Sequence, residues 1–172
     1  SNRILPMKRF FRTTALAALL LAALPSAQAA SYSFSGMMDS GSLIGESFLG
    51  SFSFDDLGLS GIGSEIRGLS SLSLRFAAQT YTLFDADAAP DVSYLDGAFL
   101  GLSYSTTTIE PKVAFVAGYT DVSGAYLAYT KDGLDGAGTV IYAAVPEPES
   151  YAMFLAGLGL MGLAALRRSK QA

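Results

Sequence analysis

The chain of 172 residues contains no cysteine, no histidine and no tryptophan. Without cysteine it has no disulfide, so a folded domain has to be stabilised by its hydrophobic core. Without histidine it has no Ser-His-Asp or Cys-His triad, no His-ligated zinc site and no imidazole acid–base catalysis. We therefore expect no catalytic residues, no cofactor and no metal ligands, and we predict that the protein is not an enzyme.

Positive charge is scarce between the two ends of the chain. Seven of the 11 Lys and Arg residues lie before residue 13 or after residue 166. Residues 30–149 contain four basic and 15 acidic side chains, which gives a formal charge of −11. Such a surface repels nucleic acid and anionic membranes, so we expect no nucleic-acid partner.

Residues 1–29 have the pattern of a secretory signal peptide preceded by a few upstream residues. Three basic residues at 8–12 come before an apolar run at 13–24. Ala27 and Ala29 then provide the small residues of a signal-peptidase site. Twelve apolar residues are few for a retained membrane anchor. The sequence predicts a signal-peptide helix that signal peptidase removes between Ala29 and Ala30.

The middle of the chain, 30–144, has the pattern of one β-rich domain. Small polar and aromatic residues alternate with period 2, which builds strands with one buried face. The predicted strands lie at 31–35, 51–55, 72–76, 81–84, 99–104, 112–119, 125–130 and 138–143. We predict an all-β fold, an antiparallel sandwich or barrel of about eight or nine short strands.

Gly, Asp and Ser separate these strands, because Gly and Asp tolerate the positive φ of tight turns. The predicted turns are Asp39-Ser40-Gly41, Asp96-Gly97, Ser123-Gly124, Asp132-Gly133 and Asp135-Gly136. The segment 57–69 contains four glycines, each of which costs about 1 kcal/mol in a helix, and we predict that it is a loop.

Asp85, Asp87 and Asp91 form a cluster of carboxylates of the kind that Ca²⁺ favours. Pro90 stands where a calcium loop needs glycine, and the twelfth position is Asp96 rather than Glu. We interpret the cluster as a solvated acidic loop between two strands. Another acidic pair, residues 55–56, is interpreted as a turn at a strand end.

The last 28 residues, 145–172, have three parts in a fixed order. The first is extended because its prolines have fixed φ, and it comprises Val145, Pro146, Glu147 and Pro148. An uncharged run at 151–166 follows, and as a helix it spans about 24 Å. This is short for a bilayer core of about 30 Å, but we predict a C-terminal transmembrane helix. Arg167 and Arg168 come next, and the positive-inside rule places them in the cytoplasm.

This tail resembles the PEP-CTERM sorting signal of Gram-negative bacteria. Pro146-Glu147-Pro148 matches the signal's motif, and Arg167-Arg168 matches its basic end. The resemblance implies processing near the motif by an exosortase-type enzyme, after transient anchoring in the inner membrane through 151–166. It also implies that the processed protein reaches the cell surface or the extracellular space. The alternative is an ordinary membrane anchor behind a proline linker.

We expect an exported protein with a structural or adhesive role in matrix or biofilm, since the resemblance implies exopolysaccharide as a partner. One alternative is a carbohydrate-binding module in which some of the nine tyrosines stack on sugar rings. A second alternative is a secreted hydrolase that uses carboxylates alone. That enzyme needs two carboxyl groups in a cleft, about 5–10 Å apart.

Overall fold

The computed structural model describes residues 29–146 and the positions 154–155, 157–159 and 161 of the C-terminal segment. Several predicted features lie outside the described residues: the signal-peptide helix with Ala27, and Glu147, Pro148, Arg167 and Arg168. The six described positions after residue 153 are helical. In the part of the chain that the structure describes, no helix has the length and hydrophobicity needed to cross a membrane.

Residues 29–146 form nine strands and two short 3₁₀ turns. The strands are β1 (Ala29–Met38), β2 (Ser47–Asp55), β3 (Ser64–Phe76), β4 (Gln79–Thr82), β5 (Asp91–Leu95), β6 (Ala98–Thr106), β7 (Lys112–Val116), β8 (Tyr126–Lys131) and β9 (Leu134–Ala144). The 3₁₀ turns are Leu83–Asp85 and Val122–Gly124.

The strands form an eight-stranded antiparallel barrel with one additional strand. They are hydrogen-bonded in the order β2-β1-β9-β8-β7-β6-β5-β3, and pairing of β2 with β3 closes the sheet. The additional strand, β4, pairs with the last four residues of β3, beyond the part of β3 that pairs with β5. The all-β prediction is confirmed, and the barrel is the correct one of its two alternatives.

Period-2 alternation explains why these segments form strands and where their side chains point. On β1 and β2 the aromatic residues face the barrel interior and the serines face outward. Each fully buried Phe or Leu side chain stabilises the fold by about 1.5–3 kcal/mol. The interior is filled by Phe34, Met38, Phe48, Phe52, Phe54, Leu72, Leu74, Phe76, Tyr81, Val92, Tyr94, Leu102, Tyr104, Val113, Phe115, Leu127, Tyr129 and Val140.

The prediction that 57–69 is a loop is wrong for its second half. β3 begins at Ser64, and residues 64–68 pair with all of β5. The glycine penalty that argued against a helix does not exclude a strand, and Gly68 lies in open space. The pairing partner, β5, is missing from the predicted strands, although its five residues alternate between half-buried and buried positions.

Four of the five predicted turns lie between strands, and the fifth does not. Asp96-Gly97 and Asp132-Gly133 connect β5 to β6 and β8 to β9, and all four residues have positive φ. The pair 135–136 lies inside β9 instead. Gly136 is needed there for packing, because a Cβ at this position would overlap the ring of Tyr129.

Candidate functional site

The predicted sorting motif begins at Val145, directly after the last residue of β9. The backbone N–H of Val145 donates a hydrogen bond to the carbonyl oxygen of Ser31, at 2.8 Å. Pro146 has no backbone N–H to donate to a neighbouring strand. Val145 is 44% exposed, and Pro146 is exposed as well. The first two residues of the predicted sorting motif therefore lie on the surface, at the edge of the folded domain.

Both ends of the domain lie at the same end of the barrel. β1 and β9 are antiparallel neighbours, and Tyr32 lies opposite Ala144. On its other edge β1 begins with Ala29 opposite Asp55 of β2. Neighbouring strands are about 4.8 Å apart, so the start of β1 and the end of β9 lie side by side. The predicted signal-peptidase bond, after Ala29, lies at the first residue of β1.

Only five residues, 146–150, separate the barrel from the apolar run. A fully extended chain covers at most about 3.6 Å per residue, so these residues span no more than about 18 Å. These five residues therefore limit how far the apolar run can lie from this end of the barrel.

The carboxylates of the predicted acidic cluster accept hydrogen bonds from different residues and do not share a site. Asp85 accepts bonds from the backbone N–H and the hydroxyl of Thr82, at 2.7 and 2.8 Å. Asp87 accepts bonds from the backbone N–H and the hydroxyl of Thr107, at 3.1 and 3.0 Å. Each of these carboxylates fastens the loop between β4 and β5 to a different strand end.

Asp91 and Asp96 also have separate surroundings. Asp91 is the first residue of β5 rather than a loop residue, and burial raises its pKa, against a hydrogen bond from Ser103 that lowers it. Asp96 accepts a hydrogen bond from the N–H of Gly63, at 2.8 Å. Among the residues that the structure describes, no three acidic side chains come together as metal ligands would.

The acidic pair at the end of β2 begins the turn that the sequence predicts. Asp55 is the last residue of β2, and its Oδ1 accepts a hydrogen bond from the N–H of Leu57, at 2.9 Å. Asp56 follows outside the strand.

The tyrosines are mostly core residues. Six of the eight tyrosines in 29–146 belong to the core or pack against it: Tyr32, Tyr81, Tyr94, Tyr104, Tyr129 and Tyr142. The buried hydroxyls have partners, as in the 2.7 Å bond that Tyr81 donates to the carbonyl oxygen of Pro111. Only Tyr119 and Tyr126 are exposed within this range, at 92% and 41%. Stacking on sugar is therefore open to these two rings.

An open groove of about 490 Å³ crosses the outer surface of β6, β7, β8 and β9. Two carboxylates, Asp87 and Asp135, line it, and Asp135 accepts a 2.7 Å hydrogen bond from the hydroxyl of Thr130. Both carboxylates are exposed.

Comparison with known proteins gives one match, and it covers the C-terminal segment. A family model described as the PEP-CTERM protein-sorting motif matches residues 144–169. The match begins at Ala144, the last residue of β9, and includes the four motif residues and both arginines predicted from the sequence. No curated protein and no solved structure matches the chain.

Proposed function

The chain is a protein with a C-terminal PEP-CTERM sorting domain, and we propose that it is the precursor of a structural or adhesive protein of an extracellular matrix or biofilm. The motif marks it as a surface protein that exosortase-type machinery sorts. The expected partner in the matrix is exopolysaccharide, and the role of the barrel there is not enzymatic.

We infer the following order of events for the precursor. Signal peptidase removes the first 29 residues during export. The apolar run at 151–166 then holds the chain in the inner membrane, with Arg167 and Arg168 on the cytoplasmic side. The exosortase-type enzyme cuts near Pro146-Glu147-Pro148 and releases the barrel to the cell surface.

The exposed exit of the chain at Val145 and Pro146 carries this proposal. A membrane-embedded enzyme needs an extended and accessible backbone close to the bilayer. In the described residues Val145 makes the last hydrogen bond between the C-terminal segment and β1, and both Val145 and Pro146 are exposed. The tether of at most about 18 Å keeps them near the membrane while the barrel stays folded.

The barrel supports a role without catalysis. Its interior is filled by side chains, and in the described residues the buried polar side-chain atoms all have hydrogen-bond partners. Catalytic groups more often lie in clefts with perturbed pKa values and free polar atoms. A stable, acidic and hydroxyl-rich module suits a component of a hydrated matrix.

The test is the size and location of the protein in a host that carries the sorting enzyme. Glu147→Ala and Pro148→Ala should each leave the uncut chain in the inner membrane, because recognition of the motif is lost. Glu149→Ala is the matched control, since it removes the same charge two residues away and should mature normally. Immunoblots of membrane and surface fractions distinguish these outcomes.

A plain membrane anchor would be indifferent to both motif variants, because neither residue lies in the hydrocarbon. Normal surface delivery of Glu147→Ala and Pro148→Ala, or a full-length tail on the wild-type surface protein, would therefore refute the proposal.

A further inference from the structure

The groove on the outer surface of the barrel is a trough with a floor of small side chains. In the register of the sheet, Ser105 lies opposite Ala114, Ala114 opposite Ala128, and Ala128 opposite Ala137. Their strand neighbours, such as Leu127 and Tyr129, point into the core. The floor therefore crosses four strands, perpendicular to them, on the outside of the barrel.

Larger side chains border this floor on both sides. On one side, two residues along each strand from the floor, lie Lys112, Thr130 and Asp135, which are opposite one another on neighbouring strands. We call this row the first ridge. On the other side, two residues along each strand from the floor, lie Val116, Tyr126 and Thr139. We call this row the second ridge. Strand spacing makes the trough about 14 Å long, and the rise per residue places its two ridges about 13 Å apart. The groove of about 490 Å³ lies between the first ridge and the floor residues Ser105, Ala114 and Ala128. Its volume is within the usual range of ligand sites, about 300–1,000 Å³.

The first ridge is rich in hydrogen-bonding groups. Asp135 lies on this ridge, and Asp87 lies beyond the β6 end of the ridge. Each carboxylate has about four acceptor positions, and its threonine partner uses only part of them. The ammonium group of Lys112 adds donors, and its ion pair with Glu110 is long, at 3.9 Å. This ridge can both accept and donate hydrogen bonds.

The floor and the second ridge are apolar by contrast. Ala114 and Ala128 present methyl groups, and Tyr126 presents a ring that is 41% exposed. A pyranose ring has the matching division, with hydroxyl groups at its edge and C–H groups on its face. A sugar chain lying along the groove would direct hydroxyls to the polar ridge and C–H faces to the methyl groups of the two alanines.

The negative charge of the domain limits which polysaccharides the trough can bind. Residues 30–149 carry a formal charge of −11, and two carboxylates line the trough, so an anionic polymer would be repelled. We propose that the trough binds an extended, uncharged polysaccharide chain. This inference rests on the proposed matrix function, to which it adds a class of ligand and a binding site.

The experiment measures retention of the full-length protein, purified in detergent, on insoluble cellulose, β-1,3-glucan and mannan, with anionic alginate beads alongside. Ala128→Trp fills the floor and should weaken binding to the retained neutral polymer at least about tenfold. Ser51→Trp is the matched control, because Ser51 is exposed on β2, on another part of the outer surface. It should bind as the wild type does.

A second variant, Asp135→Ala, removes an acceptor from the ridge without filling the floor, and it should weaken binding about threefold to tenfold. Circular dichroism of each variant checks that the barrel is folded. Three results would overturn the proposal: no retention of the wild type on the three neutral polymers, retention on alginate alone, or equal retention of Ala128→Trp and the wild type. None of these results affects processing of the tail, so this inference and the sorting proposal fail separately.

Discussion

Single residues in the core show how an aromatic barrel closes at normal strand spacing. Large rings lie over glycines that are directly opposite them on the neighbouring strand. The three pairs are Phe34 with Gly50, Phe48 with Gly36, and Tyr129 with Gly136. A Cβ at Gly50 would overlap both the ring of Phe34 and the carbonyl oxygen of Ser73. These glycines provide the space in which the rings pack.

Gly50→Ala should therefore reduce the free energy of unfolding by about 1–3 kcal/mol or more, as overpacking of a core does. The control is Gly68→Ala, also in a strand, where the added Cβ meets no atom within 4 Å. That change should be neutral or stabilise by up to about 1 kcal/mol. Urea unfolding measures both, and equal effects of the two variants would contradict the packing role of Gly50.

Among the elements, the β3–β4 hairpin stands out for its turn. The other two tight hairpins of the barrel use Asp-Gly, but this one uses Ala77 and Ala78, with φ of 49° and 63°. A left-handed conformation costs an L-residue other than glycine roughly 1–2 kcal/mol. The hairpin is held by the pairing of β4 with β3 and by Tyr81, whose ring is buried in the core.

Ala78→Gly should raise the free energy of unfolding by about 0.5–1 kcal/mol. Glycine adopts positive φ without the steric penalty of alanine, and the greater entropy of the unfolded chain cancels only part of that gain. Ala88→Gly serves as control, since Ala88 is an exposed loop residue without positive φ and its replacement should destabilise slightly. Thermal unfolding distinguishes them. A lower melting temperature for Ala78→Gly would show that the turn is not strained.

For the whole molecule, the buried tyrosines of the core make the free energy of unfolding fall at alkaline pH. Burial raises the pKa of Tyr81 and of Tyr142 to about 12. Burial also raises the pKa of Tyr94 and of Tyr104, and neighbouring groups, Tyr32 for the first and Asp85 for the second, add to this. An unfolded tyrosine titrates near pH 10, so unfolding releases protons above that pH.

Between about pH 10 and 12 the folded state binds more protons than the unfolded state, so the free energy of unfolding should fall as pH rises. The loss is up to about 1.4 kcal/mol per pH unit for each such tyrosine, and it is absent below pH 10. Urea unfolding at a series of pH values, read with tyrosinate absorbance, measures this. Tyr142→Phe should make the decline shallower, and stability that is constant from pH 10 to 12 would contradict the assignment.

The sequence by itself determined those features that are local or linear. Alternating Phe and Ser at 31–35 and 51–55 predicts strands with one buried face, and Asp96-Gly97 predicts a hairpin turn, because period 2 and positive φ are properties of neighbouring residues. The order of motif, apolar run and arginines in the tail is likewise a linear signal, and the family match covers the same residues.

Tertiary structure alone decided the features that depend on distant partners. β3 begins at Ser64 because β5 supplies its hydrogen bonds, and pairing of β2 with β3 makes the sheet a barrel rather than a sandwich. Ser31 and Val145 are far apart in sequence and meet because β1 pairs with β9. The trough arises only when Ala114 and Ala128 come into register. Register is set by packing across strands, and period-2 alternation is the same for every partner that a strand could take.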